Sequence, residues 1–276
     1  MANDNNNNAG VLSGKVAIVT GAGQGIGRGI ARRFIREGAQ VVIAEINEDS
    51  GKQVEVELKE LGGEAVFVAT DVSKKDQVAR MVATAVEHFG GVDILVNNAT
   101  KLPQQVLMED KTDAMLEEQL AVNVWGMWWG MQAVMPIMRK RGGGKIVNFS
   151  SIDAESGAWL HSDYSIAKAG IQSMTRSAAM DWGRYNIMVN CVAPTAITGP
   201  FEEMCRHRPE LREMAAKQRP IGRLGDPEDD IAPVVVMLAS DGAHYVTGVT
   251  VPVDGGKHIA RGMNRPPDEF LSKGQS

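Results

Sequence analysis

Tyr164 and Lys168 stand four residues apart in the stretch S-I-D-A-E-S-G-A-W-L-H-S-D-Y-S-I-A-K, which spans 151–168. On a helix, side chains at that spacing share one face, with about 5–6 Å between Cβ atoms. A phenol ionises near ~10, so at neutral pH it is a poor base. A close ammonium favours the phenolate and lowers that value. A base near neutrality needs roughly 4 kcal/mol of such help, at about 1.4 kcal/mol per unit. Ser151 lies thirteen residues before the tyrosine, and its hydroxyl can hold the same substrate oxygen. The trio would perform proton transfer at an alcohol or a carbonyl. A Tyr-x-x-x-Lys pair is also a common surface pattern on helices, so the pair means chemistry only if the chain supplies a cofactor and a scaffold.

The first candidate for a cofactor site lies near the N-terminus. Residues 15–20 (K-V-A-I-V-T) form a short apolar run that reads as a buried strand. G-A-G-Q-G-I-G follows and leads into a helix on which Ile26, Ile30, Phe34 and Ile35 share one face, with Gly38 as its stop signal. Gly21, Gly25 and Gly27 permit tight turns and the close approach of a pyrophosphate, and the helix behind them offers free N–H groups. Their spacing, G-x-x-x-G-x-G, differs from G-x-G-x-x-G, and the Gly-Lys-Ser/Thr of a nucleotide triphosphate loop is absent. A second strand, 40–45, ends in Glu45. An acid there accepts hydrogen bonds from adenosine ribose hydroxyls and repels a 2′-phosphate. Gln24 is neutral and Ile46 follows Glu45, so nothing basic invites the phosphate, and the expected cofactor is NAD. Arg28 falls on the helix and is read as facing solvent.

The elements that must position these groups alternate along the chain. A polar helix is expected over 47–61, a strand over 65–69, and a helix whose Val78, Met81, Val82, Ala85, Val86 and Phe89 mark one face. A strand follows over 92–97, then a long helix over 112–139 weakened by Gly126, Gly130 and Pro136. Strands over 144–150 and 187–193 flank a helix over 162–184 that carries Tyr164 and Lys168. Residues 196–220 read as less regular. Asp226-Pro227 opens a helix to 240 that should kink at Pro233, and 247–253 is a last strand. This is an α/β pattern: a single-domain, Rossmann-type, doubly wound parallel sheet of about seven strands, in the order 3-2-1-4-5-6-7, with helices on both faces. The domain is expected over 12–258, after an Asn-rich, disordered tail at 1–11 and before an extension at 259–276.

Composition excludes other classes. A hydrophobic content of 43% is enough for a core, and a net charge of −5 with no long basic run argues against a nucleic-acid or anionic-membrane partner. Cys191 and Cys205 make no disulfide framework, and the scattered histidines give no metal-ligand set, so no metal is expected. The N-terminal residues have no basic and apolar regions of a secretory leader and no apolar run suits a membrane span, so the expected location is the cytoplasm.

With these residues in hand, the chain resembles the short-chain dehydrogenase/reductase family from about residue 12 to 257. The motifs occur in the family's order: T-G-A-G-Q-G-I-G at 20–27, D-V at 71–72, N-N-A at 97–99, N-V at 123–124, S-S at 150–151, Y-S-I-A-K at 164–168 and V-D-G-G at 253–256. The resemblance implies that Tyr164 is the general acid/base, that Lys168 lowers its pKa and binds the nicotinamide ribose, and that Ser151 orients the substrate oxygen. It implies that Asn123 holds a water linking Lys168 to solvent, that Asp71 and Val72 bind adenine, and that Asn97 lines the cofactor trough. Gly21, Gln24, Gly25, Ile26, Gly27, Glu45, Ala99, Pro194, Ile197 and Thr198 complete the expected cofactor-binding set. Asn123 could instead satisfy backbone groups, and Asp71 could cap the next helix. Two family glycines are replaced, by Thr100 after N-N-A and by Thr195 after Pro194, and Gly199 stands where the family has threonine, with Thr198 one place earlier.

The activity implied is reversible hydride transfer between NAD and a secondary alcohol/ketone pair. Trp159, Leu160, Phe201 and Met204 suggest a fairly apolar or cyclic substrate, although such residues also close cores. A 3-oxoacyl-type reductase is the alternative, disfavoured because that chemistry is usually NADPH-linked in similar proteins. A non-catalytic NAD-binding regulatory protein would be favoured by a broken trio, and this trio is intact. Similar enoyl reductases tend to space Tyr and Lys seven apart, against four here. The stretch V-W-G-M-W-W-G-M-Q-A-V-M-P-I-M at 124–138 is apolar nearly all round, which predicts burial on more than its own core. The resemblance implies that the two long helices after strands four and five pack across a subunit interface, so a homotetramer (or homodimer) is expected, with Trp125, Trp128 and Trp129 divided between core and interface.

Overall fold

The computed structural model describes residues 10–197 and 199–260. The expected tail at 1–9 and the extension beyond 260 lie outside the described residues. Leu12 already belongs to the packed body: it is fully buried, and its N–H donates to the Glu37 carbonyl at 2.9 Å.

The chain opens with β1 (Val16–Thr20), α1 (Gly25–Arg36), β2 (Gln40–Glu45), α2 (Glu48–Glu60), β3 (Ala65–Ala69), α3 (Lys75–Phe89) and β4 (Ile94–Asn97). It continues through α4 (Asp113–Leu120), a π-helical turn (Ala121–Trp125), α5 (Gly126–Lys140), β5 (Gly144–Phe149), the single turn α6 (Asp153–Ser156), α7 (Ser162–Trp182) and β6 (Ile187–Pro194). The last part holds α8 (Gly199–His207), α9 (Glu210–Lys217), a second π-helical turn (Pro227–Ile231), α10 (Ala232–Ala239), β7 (Thr250–Val253) and the short α11 (Lys257–Ala260). All seven strands are parallel, in the order β3-β2-β1-β4-β5-β6-β7.

The two faces of the sheet are written in the period-2 alternation of each strand. Ala17, Val19, Val41, Ile43, Ile94, Val96, Val147 and Phe149 face one layer, where Ile30 and Phe34 of α1 and Val235 of α10 cover them. Val16, Ile18, Val42, Ala44, Leu95, Ile146 and Cys191 face the other, under Met81 of α3, Met131 and Val134 of α5, and Ile171 of α7. Burial on both sides is what a parallel sheet needs. In register, Thr20 pairs with Ala44, and Asn97 with Asn148, so the carboxyl ends of β1, β2, β4 and β5 finish along one edge.

Several expectations are corrected. The long helix is not uniform: α4 passes into a π-helical turn at Ala121–Trp125 before α5 begins. Gly126 explains the close packing there, since a Cβ on it would lie 2.7 Å from the Val72 carbonyl oxygen. Pro136 is exposed within α5, which runs on past it. Residues 196–220 are not irregular but hold α8 and α9, short amphipathic helices with mostly exposed side chains. Asp226 caps its helix as expected, accepting from the N–H groups of Glu228 and Asp229. The wide π turn that follows brings Pro233 to the first turn of α10, where a proline lacks little. Arg28 does face solvent, as expected, and pairs there with Glu57 at 2.7 Å.

Candidate active site

A cleft of ≈ 430 Å³ opens along the carboxyl edge of the sheet, lined by Gly21, Gln24, Gly25, Ile26, Glu45, Asp71, Val72 and Ala99 among others. The glycine turn is built for close approach. Gly21 and Gly25 hold φ of +64° and +52°, a conformation that side chains with a Cβ rarely adopt. A Cβ on Gly27 would sit 2.1 Å from the Gly21 carbonyl oxygen, so that glycine lets α1 pack on the turn. At the start of α1, Gln24 makes no side-chain cap and the first turn holds no acidic residue. Its N–H groups and dipole end thus face the cleft without an internal anion, as a pyrophosphate requires.

Glu45 ends β2 and is 7% exposed. Its Oε2 accepts from Gly23 N at 3.0 Å, and its Oε1 from Ile46 N and Asn47 N at 2.9 and 3.0 Å. A carboxylate has about four acceptor positions, so one remains for an outside hydroxyl. Asp71 reaches the cleft and does not cap α3, whose N-cap is Lys74; its Oδ1 accepts from Ser73 N at 2.9 Å and Ser73 Oγ at 2.7 Å in the turn before that helix. Asn97 is not in the trough. It is 4% exposed and donates to Asn148 Oδ1 at 2.9 Å, on the α5–α7 side of the sheet. The next residue, Asn98, lines the cleft instead, and its Nδ2 donates to the carbonyls of Thr20 and Gly21 at 2.9 and 3.1 Å. Ala99 N–H donates to Thr20 Oγ1 at 3.0 Å, closing the same corner. Pro194 ends β6, and Ile197 N–H donates to the Gly225 carbonyl at 2.8 Å. Thr198 lies outside the described residues. Thr195 turns its hydroxyl to the Asp254 carbonyl at 3.3 Å and lines a second, ≈ 300 Å³ cleft that holds none of the proton-transfer trio.

The trio does come together. Ser151 follows β5, while Tyr164 and Lys168 sit one turn apart on α7. The hydroxyls of Ser151 and Thr100 both favour the ionised form of the Tyr164 phenol. Lys168 is 2% exposed, with Nζ 5.4 Å from the Tyr164 ring centroid. Asn123, in the π turn, is 1% exposed, and its Nδ2 donates to Gln119 Oε1 at 2.9 Å. Thr100 Oγ1 donates to Asn123 Oδ1 at 2.7 Å.

The electrostatics of this site differ from the expectation that Lys168 lowers the tyrosine. Burial, and then the Asp153 carboxylate, push the Tyr164 phenol up to about 12, and the Ser151 and Thr100 hydroxyls only partly offset them. Burial pushes Lys168 down to about 8. Its Nζ donates to the Phe149 carbonyl at 2.9 Å rather than to the phenol. Desolvation is therefore the largest effect on both groups, and an ionised Tyr164 at pH 7 needs roughly 7 kcal/mol of further help.

Two features carried no sequence signal. Lys111, from the loop between β4 and α4, pairs with the buried Asp163 at 2.8 Å, pinning that loop to the start of α7. Asp153 also pairs with His161 at 3.0 Å, and the His161 ring stands edge-on to Tyr164 with centroids 6.1 Å apart. Of the expected substrate-contact residues, Trp159 is 87% exposed and Leu160 holds a φ of +67°, in the left-handed region.

A seven-stranded parallel sheet with a glycine turn after β1, an acid at the end of β2 and a Ser-Tyr-Lys trio defines a dinucleotide-binding oxidoreductase. A family model described as enoyl-(acyl carrier protein) reductase matches residues 21–258. An uncharacterised oxidoreductase of Thermotoga maritima is 41% identical, over 90% of this chain and 98% of that protein. The L-rhamnose 1-dehydrogenase (NAD(P)+) of Azotobacter vinelandii is 39% identical over the same shares. The crystal structure of levodione reductase superposes with a TM-score of 0.84 at 32% identity, covering 90% of this chain and 99% of that one. The chain belongs to the short-chain dehydrogenase/reductase family. No helix among the described residues is long and apolar enough to cross a membrane.

Proposed function

We propose that this protein is an NAD-dependent oxidoreductase that interconverts a secondary alcohol and a ketone. The observation that carries the reading is the trio itself: the buried Lys168 ammonium stands 5.4 Å from the Tyr164 ring centroid, and the Ser151 hydroxyl favours the phenolate. Nicotinamide dinucleotide, when bound, supplies the hydride acceptor or donor. Glu45 would hold the adenosine ribose, the N–H groups at the start of α1 the pyrophosphate, and Lys168 the nicotinamide ribose. In oxidation, the Tyr164 oxygen takes the proton of the substrate hydroxyl while Ser151 holds the substrate oxygen. In reduction, Tyr164 returns that proton to the carbonyl oxygen. General acid/base help of this kind is worth about 10²–10⁴-fold. Tyr164→Phe should therefore abolish turnover and keep cofactor binding; near-parental turnover would remove Tyr164 from this role.

Two relatives are named for L-rhamnose dehydrogenation and levodione reduction, and the substrate we infer here is a fairly apolar or cyclic alcohol. The Trp159–Leu160 segment offers apolar contact, and the Asp153–His161 pair offers a polar one. We infer a homotetramer as well, from exposed apolar side chains on α7 and at the start of α5: Trp125 is 50% exposed, Trp128 44%, Ile166 51% and Met180 85%. Trp129 instead packs on the core and stacks on Trp125 at 5.9 Å. A monomer by light scattering at micromolar concentration would contradict this assembly.

A further inference from the structure

Asp153 and His161 belong neither to the proton-transfer trio nor to the lining of the cofactor cleft, yet they flank the trio on both sides. Asp153 follows Ser151 by two residues and opens α6, and its N–H donates to Ser151 Oγ at 3.2 Å. His161 precedes Tyr164 by three residues, at the N-cap of α7, and its ring stands edge-on to the phenol with centroids 6.1 Å apart. Across the gap between these segments, His161 Nδ1 meets Asp153 Oδ2 at 3.0 Å. The His161 side chain is 26% exposed and that of Asp153 18%, so the pair is mostly covered but within reach of a small molecule.

A carboxylate oxygen only accepts, so Nδ1 donates, and the neutral ring keeps a lone pair on Nε2. Among the described residues neither Nε2 nor Asp153 Oδ1 has a hydrogen-bond partner, and neither is closed off from solvent. The pair thus offers two open acceptors, fixed by the bond between the two side chains and by the tie from Asp153 to Ser151. What it lacks is a donor. A purely apolar substrate would take water from both acceptors and return nothing. An anion would be repelled by the carboxylate. Positive charge is already supplied next to Tyr164 by the Lys168 ammonium, 5.4 Å from the ring centroid. A neutral hydroxyl fits: it donates its proton to the pair without adding charge.

We propose that Asp153 and His161 form the subsite for a second hydroxyl of the substrate, so that the alcohol oxidised is a diol or polyol. This rests on the reading of Ser151 and Tyr164 as the groups that hold and deprotonate the reacting hydroxyl. The subsite is joined to Ser151 through the Asp153 N–H and stands against Tyr164 through the His161 ring. The second hydroxyl therefore sits on the carbon next to the reacting one, or on the carbon after that.

The test is kcat/KM with NAD for alcohols matched with and without the neighbouring hydroxyl. The pairs are 1,2- or 1,3-cyclohexanediol against cyclohexanol, 2,3-butanediol against 2-butanol, and an aldopyranose against its 2-deoxy form. The proteins are the parent, Asp153→Ala, His161→Leu and Tyr164→Phe. The parent should favour the hydroxylated member of a pair by about 10- to 100-fold, the worth of one hydrogen bond to a charged acceptor. Asp153→Ala should lose most of that ratio and His161→Leu about three- to tenfold of it, with NADH still bound by both. A change that merely loosens the segment slows both members alike and leaves the ratio where it was. Equal kcat/KM within the pairs in the parent overturns the proposal, and so does a ratio that survives in Asp153→Ala. A cyclic amino alcohol or hydroxy acid that outruns the diol overturns it too, since the second group would then be a cation or an anion. If Asp153→Ala does not fold, Asp153→Asn gives the comparison, with about tenfold of the ratio expected to be lost. Turnover retained in Tyr164→Phe, or none in the parent on any of these compounds, removes the underlying reading. Turnover lost in Tyr164→Phe, with no preference within the pairs, removes this inference alone.

Discussion

Replacing Glu45 with glutamine changes the charge at the ribose end of the cleft and little else. The carboxylate is nearly buried and accepts from Gly23, Ile46 and Asn47 N–H groups at 2.9–3.0 Å. A glutamine oxygen can keep the pair from Ile46 and Asn47, so the fold should lose only about 1 kcal/mol. The effect on a 2′-phosphate is larger. Two like unit charges 4 Å apart repel by about 4 kcal/mol at an effective dielectric of about 20. At about 1.4 kcal/mol per decade, and with some screening in an open cleft, this corresponds to roughly 10²- to 10³-fold preference for NADH over NADPH. The assay is fluorescence titration with each reduced cofactor at 0.15 M salt, with circular dichroism to check the fold. In the parent, NADH should bind more tightly by that ratio. In Glu45→Gln the ratio should fall by about a hundredfold or more, with the NADH Kd changed by less than about tenfold. An unchanged ratio, or a parent that binds both cofactors equally, would refute the reasoning.

Other perturbations probe the buried charges. Lys168 is held at about 8, below its ordinary 10.5, so the unfolded chain binds more protons between those values and stability from this group rises with pH across that window. Lys168→Met should thus be inactive yet more stable than the parent at pH 7, by up to roughly 3 kcal/mol, with the gap closing towards pH 10. Urea unfolding at pH 7 and 9.5 checks this, and a gap that is constant or of opposite sign contradicts it. Lys111→Met takes the cation from the Asp163 carboxylate, which is 3% exposed, leaving its Oδ1 only the Tyr164 N–H at 2.9 Å and its Oδ2 without a hydrogen-bond partner. It should cost about 3–5 kcal/mol, with most recovered in the Lys111→Met/Asp163→Asn double variant; a single variant within about 0.5 kcal/mol of the parent would show the pair to be unimportant.

The sheet was legible because its signal is local. Each strand alternates between two covered faces, and strand order follows from the βα alternation. The same alternation could have placed Asn97: Leu95, two residues earlier, faces the α5–α7 layer, so Asn97 must face it too, leaving Asn98 for the cleft. Helices α8 and α9 were missed because they are only nine and eight residues long and bury little, Cys205 being a buried exception. Just after the π turn at Asn123, Gly126 meets Val72, a contact between distant segments that no local pattern carries. Tyr164, Lys168 and Ser151 were legible from spacing and motif. Their pKa shifts were not, because the spacing gives proximity while burial, which the spacing does not report, sets the larger effect. Thr100 was visible as a departure from the motif, but its bond to Asn123 closes 23 residues of chain through a loop.

The central claim is that this cleft carries out NAD-linked oxidation of alcohols with Tyr164 as the base. It is tested most directly by following NADH formation over a panel of secondary alcohols, cyclic diols and sugars, with NAD and with NADP, in the parent and in Tyr164→Phe. The account predicts turnover of some member of the panel with NAD, far less with NADP, and none in Tyr164→Phe, although that variant still binds NADH. Turnover that survives in Tyr164→Phe, or that requires NADP, would contradict it.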